Sequence, residues 1–110
     1  MKIPSQFKIL GKIITVKYDK NIAYKDDVSG YASYRTNEII LQPVCGGVEC
    51  SQTNVEIAFM HELIHHICYH AGAAINHKLD QGNYLHQNEE FVDLFAGILH
   101  QALTSMEFDS

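Results

Sequence analysis

Residues 51–72, SQTNVEIAFMHELIHHICYHAG, decide the fold. Ser51, Thr53 and Asn54 each offer a side-chain oxygen for a helix N-cap, Glu56 follows in the first turn, and Gly72 is a ready terminator. Between them Ile57, Phe59, Met60, Leu63, Ile64, Ile67 and Cys68 cover most of the helical circumference. A helix that is apolar nearly all round is a buried central helix. His61 and His65 are then carried into a core, where an unpaired polar group is costly.

His61 and His65 are four residues apart, so on a helix they project about 40° from each other, one turn apart, close enough to grip one metal ion. Glu62 lies about 100° round from His61, beside such a metal and not over it. This is the HExxH arrangement, in which the glutamate takes a proton from metal-activated water. His66 is turned about 140° from His61, and His70 about 140° from His65, so both leave the metal face. His66 is expected at the edge of the core or at the surface. The longer HExxHxxGxxH pattern is missing, because Cys68 stands at the glycine position and Ala71 at the third histidine position. A three-histidine site is therefore not expected.

The third ligand is sought downstream. NEEFVDLFAGILHQALTSM, residues 88–106, reads as a second helix capped by Asn88, with an apolar stripe of Phe91, Leu94, Phe95, Ile98, Ala102 and Leu103. A catalytic zinc needs three protein ligands and an open position, and two histidines with one glutamate form a recognised set. Glu89 and Glu90 both lie in the first turn. Glu89 is preferred because Asp93, one turn on, is placed to accept a hydrogen bond from the second ring nitrogen of a ligating histidine, whereas Glu90 has Leu94 there. Ala96 and Gly97 are small enough to let the two helices approach.

The N-terminal half has strand character. FKILGKIITVKYD, residues 7–19, is β-branched and broken by Gly11, as in a bent strand or tight hairpin. GYASYRTNEIILQP, residues 30–43, reads as two strands joined near residues 35–38 and ended by Pro43. NIAYKDDVSG, residues 21–30, PVCGGVEC, residues 43–50, and AAINHKLDQGNYLHQ, residues 73–87, read as loops. Cys45 and Cys50 can close a disulfide or form half of a metal site, though plain reduced thiols are the simpler reading; Cys68 reads as a small buried residue. His77, His86, Tyr84, Tyr31 and Tyr34 are the candidates to stabilise an oxyanion.

At 110 residues the chain suits a single domain, 1–110, and with 46% hydrophobic residues it can bury a modest core. A net charge of −5 with scattered lysines, among them Lys2, Lys8, Lys12 and Lys17, argues against nucleic acid as a partner. MKIPSQFKIL has no signal-peptide core and no apolar run is long enough for a membrane span. A cytoplasmic protein is expected. Nothing in the sequence fixes the oligomeric state.

HELIHH, with Glu89 24 residues beyond His65 and Asp93 four further on, resembles the gluzincin class of zinc metallopeptidases. The tail FVDLFAGILHQAL looks like the minimal phage and mobile-element metallopeptidases related to the ImmA/IrrE group. The resemblance covers residues 53–105. It implies an α+β, zincin-like fold in which a small twisted sheet of three or four strands packs on the HExxH helix and the second helix completes the site. It implies one Zn²⁺ per chain on His61, His65 and Glu89, with Glu62 as general base and Asp93 behind the ligands. A peptide or protein substrate would lie along a strand bordering the cleft, either GYASY (30–34) or ILQP (40–43). The rival expectation is a metal-stabilised module of a mobile element that binds another protein without cutting it.

Overall fold

The computed structural model describes residues 1–19, 30–45, 48–75 and 88–108. In chain order the elements are β1 (Gln6–Ile9), β2 (Lys12–Tyr18), β3 (Gly30–Ser33), β4 (Glu38–Leu41), β5 (Val44–Cys45), β6 (Val48–Glu49), α1 (Gln52–Ile75) and α2 (Glu89–Thr104). The architecture is α+β: a four-stranded mixed sheet of order β1-β2-β4-β3 and two helices, with β5 and β6 as a separate small ladder.

Gly11 makes a hairpin and not a bend. Ile9 pairs with Lys12, and the two residues between them, Leu10 (φ 50°) and Gly11 (φ 80°), both have positive φ, the requirement of a type I′ turn. The second expected pair also forms. Ser33 faces Glu38 across an antiparallel ladder, and the connection closes through Asn37 at φ 54° and through the Thr36 hydroxyl, which lies 2.7 Å from both Ser33 Oγ and Glu38 Oε1. Gly30 must be a glycine for a different reason: a Cβ there would lie 2.7 Å from the carbonyl oxygen of Ile40 on the paired strand.

What sequence periodicity does not reveal is that the two hairpins join through a parallel pairing, Thr15 with Glu38 through to Tyr18 with Leu41. This buries β4 between β2 and β3 and leaves β3 at the edge of the sheet. Strand alternation then sends Ile14 and Val16 from β2, and Ile39 and Leu41 from β4, to one face, where all four are buried. α1 covers that face with Val55, Ala58, Phe59, Met60 and Ile64, and Phe7 of β1 meets Phe59 edge to face at a centroid distance of 6.0 Å.

Ser51 is the N-cap of α1, accepting from the Asn54 amide at 3.1 Å. Glu56 therefore falls beyond the first turn and is buried. Gly72 does not end the helix, which runs on to Ile75. Nor is α1 enclosed on every side, since Ile57 and Ile67 are exposed. Asn88 caps α2 as expected, with the Phe91 amide donating to its Oδ1 at 3.0 Å.

α2 packs on α1 through a face other than the expected apolar stripe. Val92 and Ala96 are fully buried, with Phe91 and Leu99 packed beside them, whereas Leu94, Phe95 and Ile98 are exposed. Gly97 faces open space, so Ala96 alone provides the close approach. The reason is the site: with Glu89 and Asp93 turned toward α1, Val92 and Ala96 must lie beneath them, and the bulkier stripe is rotated outward.

Candidate metal centre

Two helices build the centre. α1 supplies His61 and His65 from consecutive turns, with Nε2 atoms 3.1 Å apart. The first residue of α2, Glu89, reaches both: its Oε1 lies 3.0 Å from His65 Nε2 and its Oε2 3.2 Å from His61 Nε2. One ligand atom from each of the three residues falls within 4.8 Å of the others, and no other such cluster of His, Cys, Asp or Glu occurs among the described residues. His65 is nearly buried, while the Glu89 side chain is 63% exposed, so the cluster opens to solvent on the α2 side.

Asp93 fixes the chemistry of His61. Its Oδ1 lies 2.8 Å from His61 Nδ1, so the ring donates its Nδ1–H to the carboxylate and a neutral ring keeps a lone pair at Nε2. That lone pair looks at the Glu89 oxygens and at His65 Nε2. Of these atoms the His61 lone pair and the Glu89 oxygens are acceptors that face each other, an arrangement a cation between them would reconcile. Four-coordinate zinc with bonds of about 2.0–2.1 Å requires ligand atoms about 3.3 Å apart, close to the spacings of 3.0, 3.1 and 3.2 Å found here. The donor set and its spacing fit a metal ion.

Glu62 lies beside this cluster and not in it, with its Oε2 4.0 Å from His61 Nε2. The side chain is buried, and burial first, then the charges of Glu89 and Asp93, push its pKa up to about 8. The amide of Ala32 in the edge strand β3 opposes this by donating to the carboxylate. Glu62 is thus held between α1 and β3, which is the end strand of the sheet among the described residues. Glu90, the competing ligand, is exposed; the ion pairs of the two histidines go to Glu89, Asp93 and Glu62.

The other histidines of α1 are not at the edge of the core. His66 is completely buried and His70 nearly so. His66 Nε2 lies 2.9 Å from the carbonyl oxygen of Glu38, which makes it the donor, and its ring stacks on His70 with Nδ1 3.4 Å from His70 Nε2. Burial lowers the pKa of both. Together they tie α1 to the start of β4. Periodicity offered a signal for this, since 66 and 70 repeat the spacing of 61 and 65 on a neighbouring stripe.

Of the candidate oxyanion residues, Tyr34 sits against α1, with its ring stacked on Tyr69 at 4.2 Å and 5° and edge-on to His66 at 5.3 Å. Burial, then the charges of Glu62 and Glu89, raise its pKa. Tyr31 is 43% exposed. His77, His86 and Tyr84 lie outside the described residues, as does the side chain of Cys45. Cys50 Sγ is 3.9 Å from the Gln42 carbonyl oxygen, and the half-buried Cys68 has its thiol pKa raised by burial. PVCGGVEC is not purely loop, since it contributes the β5–β6 ladder.

One polar link was invisible in the sequence. Glu56 on α1 and His100 on α2 meet at 2.9 Å between Oε1 and Nε2, clamping the helices away from the metal cluster. No described helix is long and apolar enough to cross a membrane. Family models, curated proteins and solved structures yield no match to this chain.

Proposed function

We propose that this chain is a zinc-dependent metallopeptidase of the gluzincin kind, cytoplasmic, acting on a peptide or protein substrate. The observation that carries this reading is the buried Glu62 carboxylate standing beside, and not within, the His61–His65–Glu89 cluster. A structural metal site needs its ligands and nothing more; a hydrolytic one needs an additional base within reach of water. A metal-stabilised binding module that cuts nothing gives Glu62 no task, so the enzyme is the better reading.

His61, His65 and Glu89 would hold one Zn²⁺, for which two histidines and a carboxylate are a familiar catalytic set. The ion would supply Lewis acidity, polarising a scissile carbonyl and lowering the pKa of water at its open position toward ~7. Asp93 keeps His61 in the tautomer that presents Nε2 to the site. Glu62, standing beside the cluster, removes a proton from the attacking water and returns it to the departing amine. For the peptide, β4 is unsuitable because strands flank it on both sides; β3, beside Glu62, is an edge strand among the described residues, and an extended chain can add to it by backbone hydrogen bonds. GYASY is therefore favoured over ILQP as the bordering strand.

The test is the Glu62→Gln variant. It should retain one zinc per chain and lose at least about 10²-fold in hydrolysis of a quenched-fluorescence peptide library. Hydrolysis at the wild-type rate by the zinc-loaded variant would overturn the assignment.

A further inference from the structure

Exposed apolar residues are concentrated on α2, on the side turned away from α1. Leu94, Phe95 and Ile98 are 66%, 47% and 56% exposed. Ala102 is exposed one turn beyond Ile98, and the half-buried Phe91 stacks its ring on Phe95 at a centroid distance of 5.3 Å. These five positions fall within about 100° of the helical circumference, so they form one stripe. No Asp, Glu, Lys or Arg occurs between Asp93 and Glu107 to interrupt it. Elsewhere among the described residues the exposed large apolar side chains are spread over separate elements, such as Leu10 in the β1–β2 turn, Ile13 on β2, Tyr31 on β3 and Val48 on β6.

From this face we propose that two copies of the chain pair through α2, with the helices antiparallel about a two-fold axis that sets Leu94 of one copy against Ile98 of the other. The stripe amounts to roughly 400–500 Å² of apolar surface per chain, so two chains with their polar rims remove about 1,000 Å² from water, the least that a specific interface buries. A two-fold axis makes the same patch serve both sides, so one stripe is enough. Charge sets the direction. Glu89, Glu90 and Asp93, all exposed, cluster at the start of α2. Parallel helices would bring these acids beside their counterparts, whereas antiparallel helices carry them to opposite ends of the pair. An anionic lipid surface suits the same face poorly, because residues 79–110 contain no Lys or Arg. The pairing depends neither on metal nor on hydrolysis, since Glu89 and Asp93 turn to the histidines of α1 and the stripe turns away from them.

Sedimentation equilibrium of the full chain between about 1 µM and about 500 µM tests this. The wild type should pass from one chain to two as concentration rises and stop there, with a dissociation constant of about 10⁻⁵ M, as suits an interface at the small end of the range. Leu94→Lys and Ile98→Glu should each raise that constant at least about 10-fold, because each sinks an unpaired charge in the contact. Both should melt with the wild type at about 1 µM, where all three are single chains, because both positions are exposed. Leu94→Lys and Ile98→Glu combined in one chain should associate more tightly than either alone, since the antiparallel arrangement sets each new ammonium against a new carboxylate of the other copy. Ile13→Glu, on the sheet, should change nothing.

A wild type that stays a single chain at about 500 µM would overturn the inference. So would association that runs on past two chains, or association untouched by Leu94→Lys and Ile98→Glu. A combined variant weaker than both single ones would overturn the antiparallel arrangement, because parallel helices set like charge against like. Dissociation by Ile13→Glu with Leu94→Lys still paired would move the contact to the sheet and remove α2 from it.

Discussion

Asp93 holds the Nδ1 of His61 at 2.8 Å while Glu89, one turn earlier on the same helix, faces its Nε2 at 3.2 Å. One imidazole is thus gripped at both nitrogens by successive turns of α2, and its tautomer is set by the carboxylate that does not ligate. Asp93→Ala should leave the fold intact, because the side chain is 68% exposed, and should weaken zinc binding about 10- to 100-fold. Competition against a chromophoric chelator measures this directly; unchanged affinity would mean that Asp93 does not tune the ligand.

Glu89 and Glu90 make a sharper pair, since they are adjacent and equally acidic. Glu89→Ala should abolish stoichiometric zinc, whereas Glu90→Ala should keep one zinc per chain, because only Glu89 approaches both histidines. Elemental analysis of the purified variants decides it. Loss of zinc with Glu90 and retention with Glu89 would reverse the ligand assignment.

Local signals account for the parts of this molecule that were legible in the sequence. The His61–Glu62–His65 spacing, the Asn88 cap, the Gly11 break and the Glu89–Asp93 step each depend on neighbours within a few residues, and each appears where periodicity put it. The parallel β2–β4 pairing was not legible, because strand order is set by which apolar faces share a core, and Ile14 and Ile39 carry no mark of their partner. The rotation of α2 escaped for a related reason. Counting apolar residues selects Phe91, Leu94, Phe95 and Ile98, but the need to aim Glu89 and Asp93 at α1 overrides that count and buries Val92 and Ala96. His66 was misjudged because a histidine can enter a core at no great cost when a carbonyl such as that of Glu38 receives its N–H.

That rotation has a measurable consequence at adjacent positions. Ala96 is buried in the α1–α2 contact, so Ala96→Leu overpacks it, at a cost of about 1–3 kcal/mol. Gly97 lies in a helix interior with nothing within 4 Å of a Cβ, so Gly97→Ala should gain about 0.5–1 kcal/mol. Urea denaturation of the two variants should move in opposite directions. Destabilisation by Gly97→Ala would place the helix contact at Gly97 instead.

The β1–β2 turn contains a residue ill suited to its conformation. Leu10 has φ 50° and is 68% exposed, so it carries the left-handed penalty of about 1–2 kcal/mol with little packing in return. Leu10→Asn would create the Asn-Gly pair that type I′ turns favour. A gain of about 1 kcal/mol is expected, or a rise of about 4 °C or more in melting temperature for a domain of this size. A lower melting temperature would mean that Leu10 contributes packing that outweighs its backbone strain.

The clamp between Glu56 and His100 should set an acid limit on stability that is separate from metal loss. The His100 hydrogen bond, and behind it the amino group of Met1 and Gln52, hold the Glu56 carboxyl below its ordinary value of 4.5, against the opposing effect of burial. The unfolded chain therefore takes up this proton at a higher pH than the folded one. The stabilisation is present in full above about pH 4.5 and is lost as the pH falls through the lower folded value. Metal-free protein should accordingly lose denaturation midpoint between about pH 5 and 3, and Glu56→Gln should show a shallower loss over the same interval. His100→Ala should flatten the profile in the same sense, because it removes the largest cause of the shift. Measuring with metal removed isolates the clamp, since metal affinity carries a pH dependence of its own. Parallel profiles for wild type and Glu56→Gln would show that the clamp does not set the acid limit.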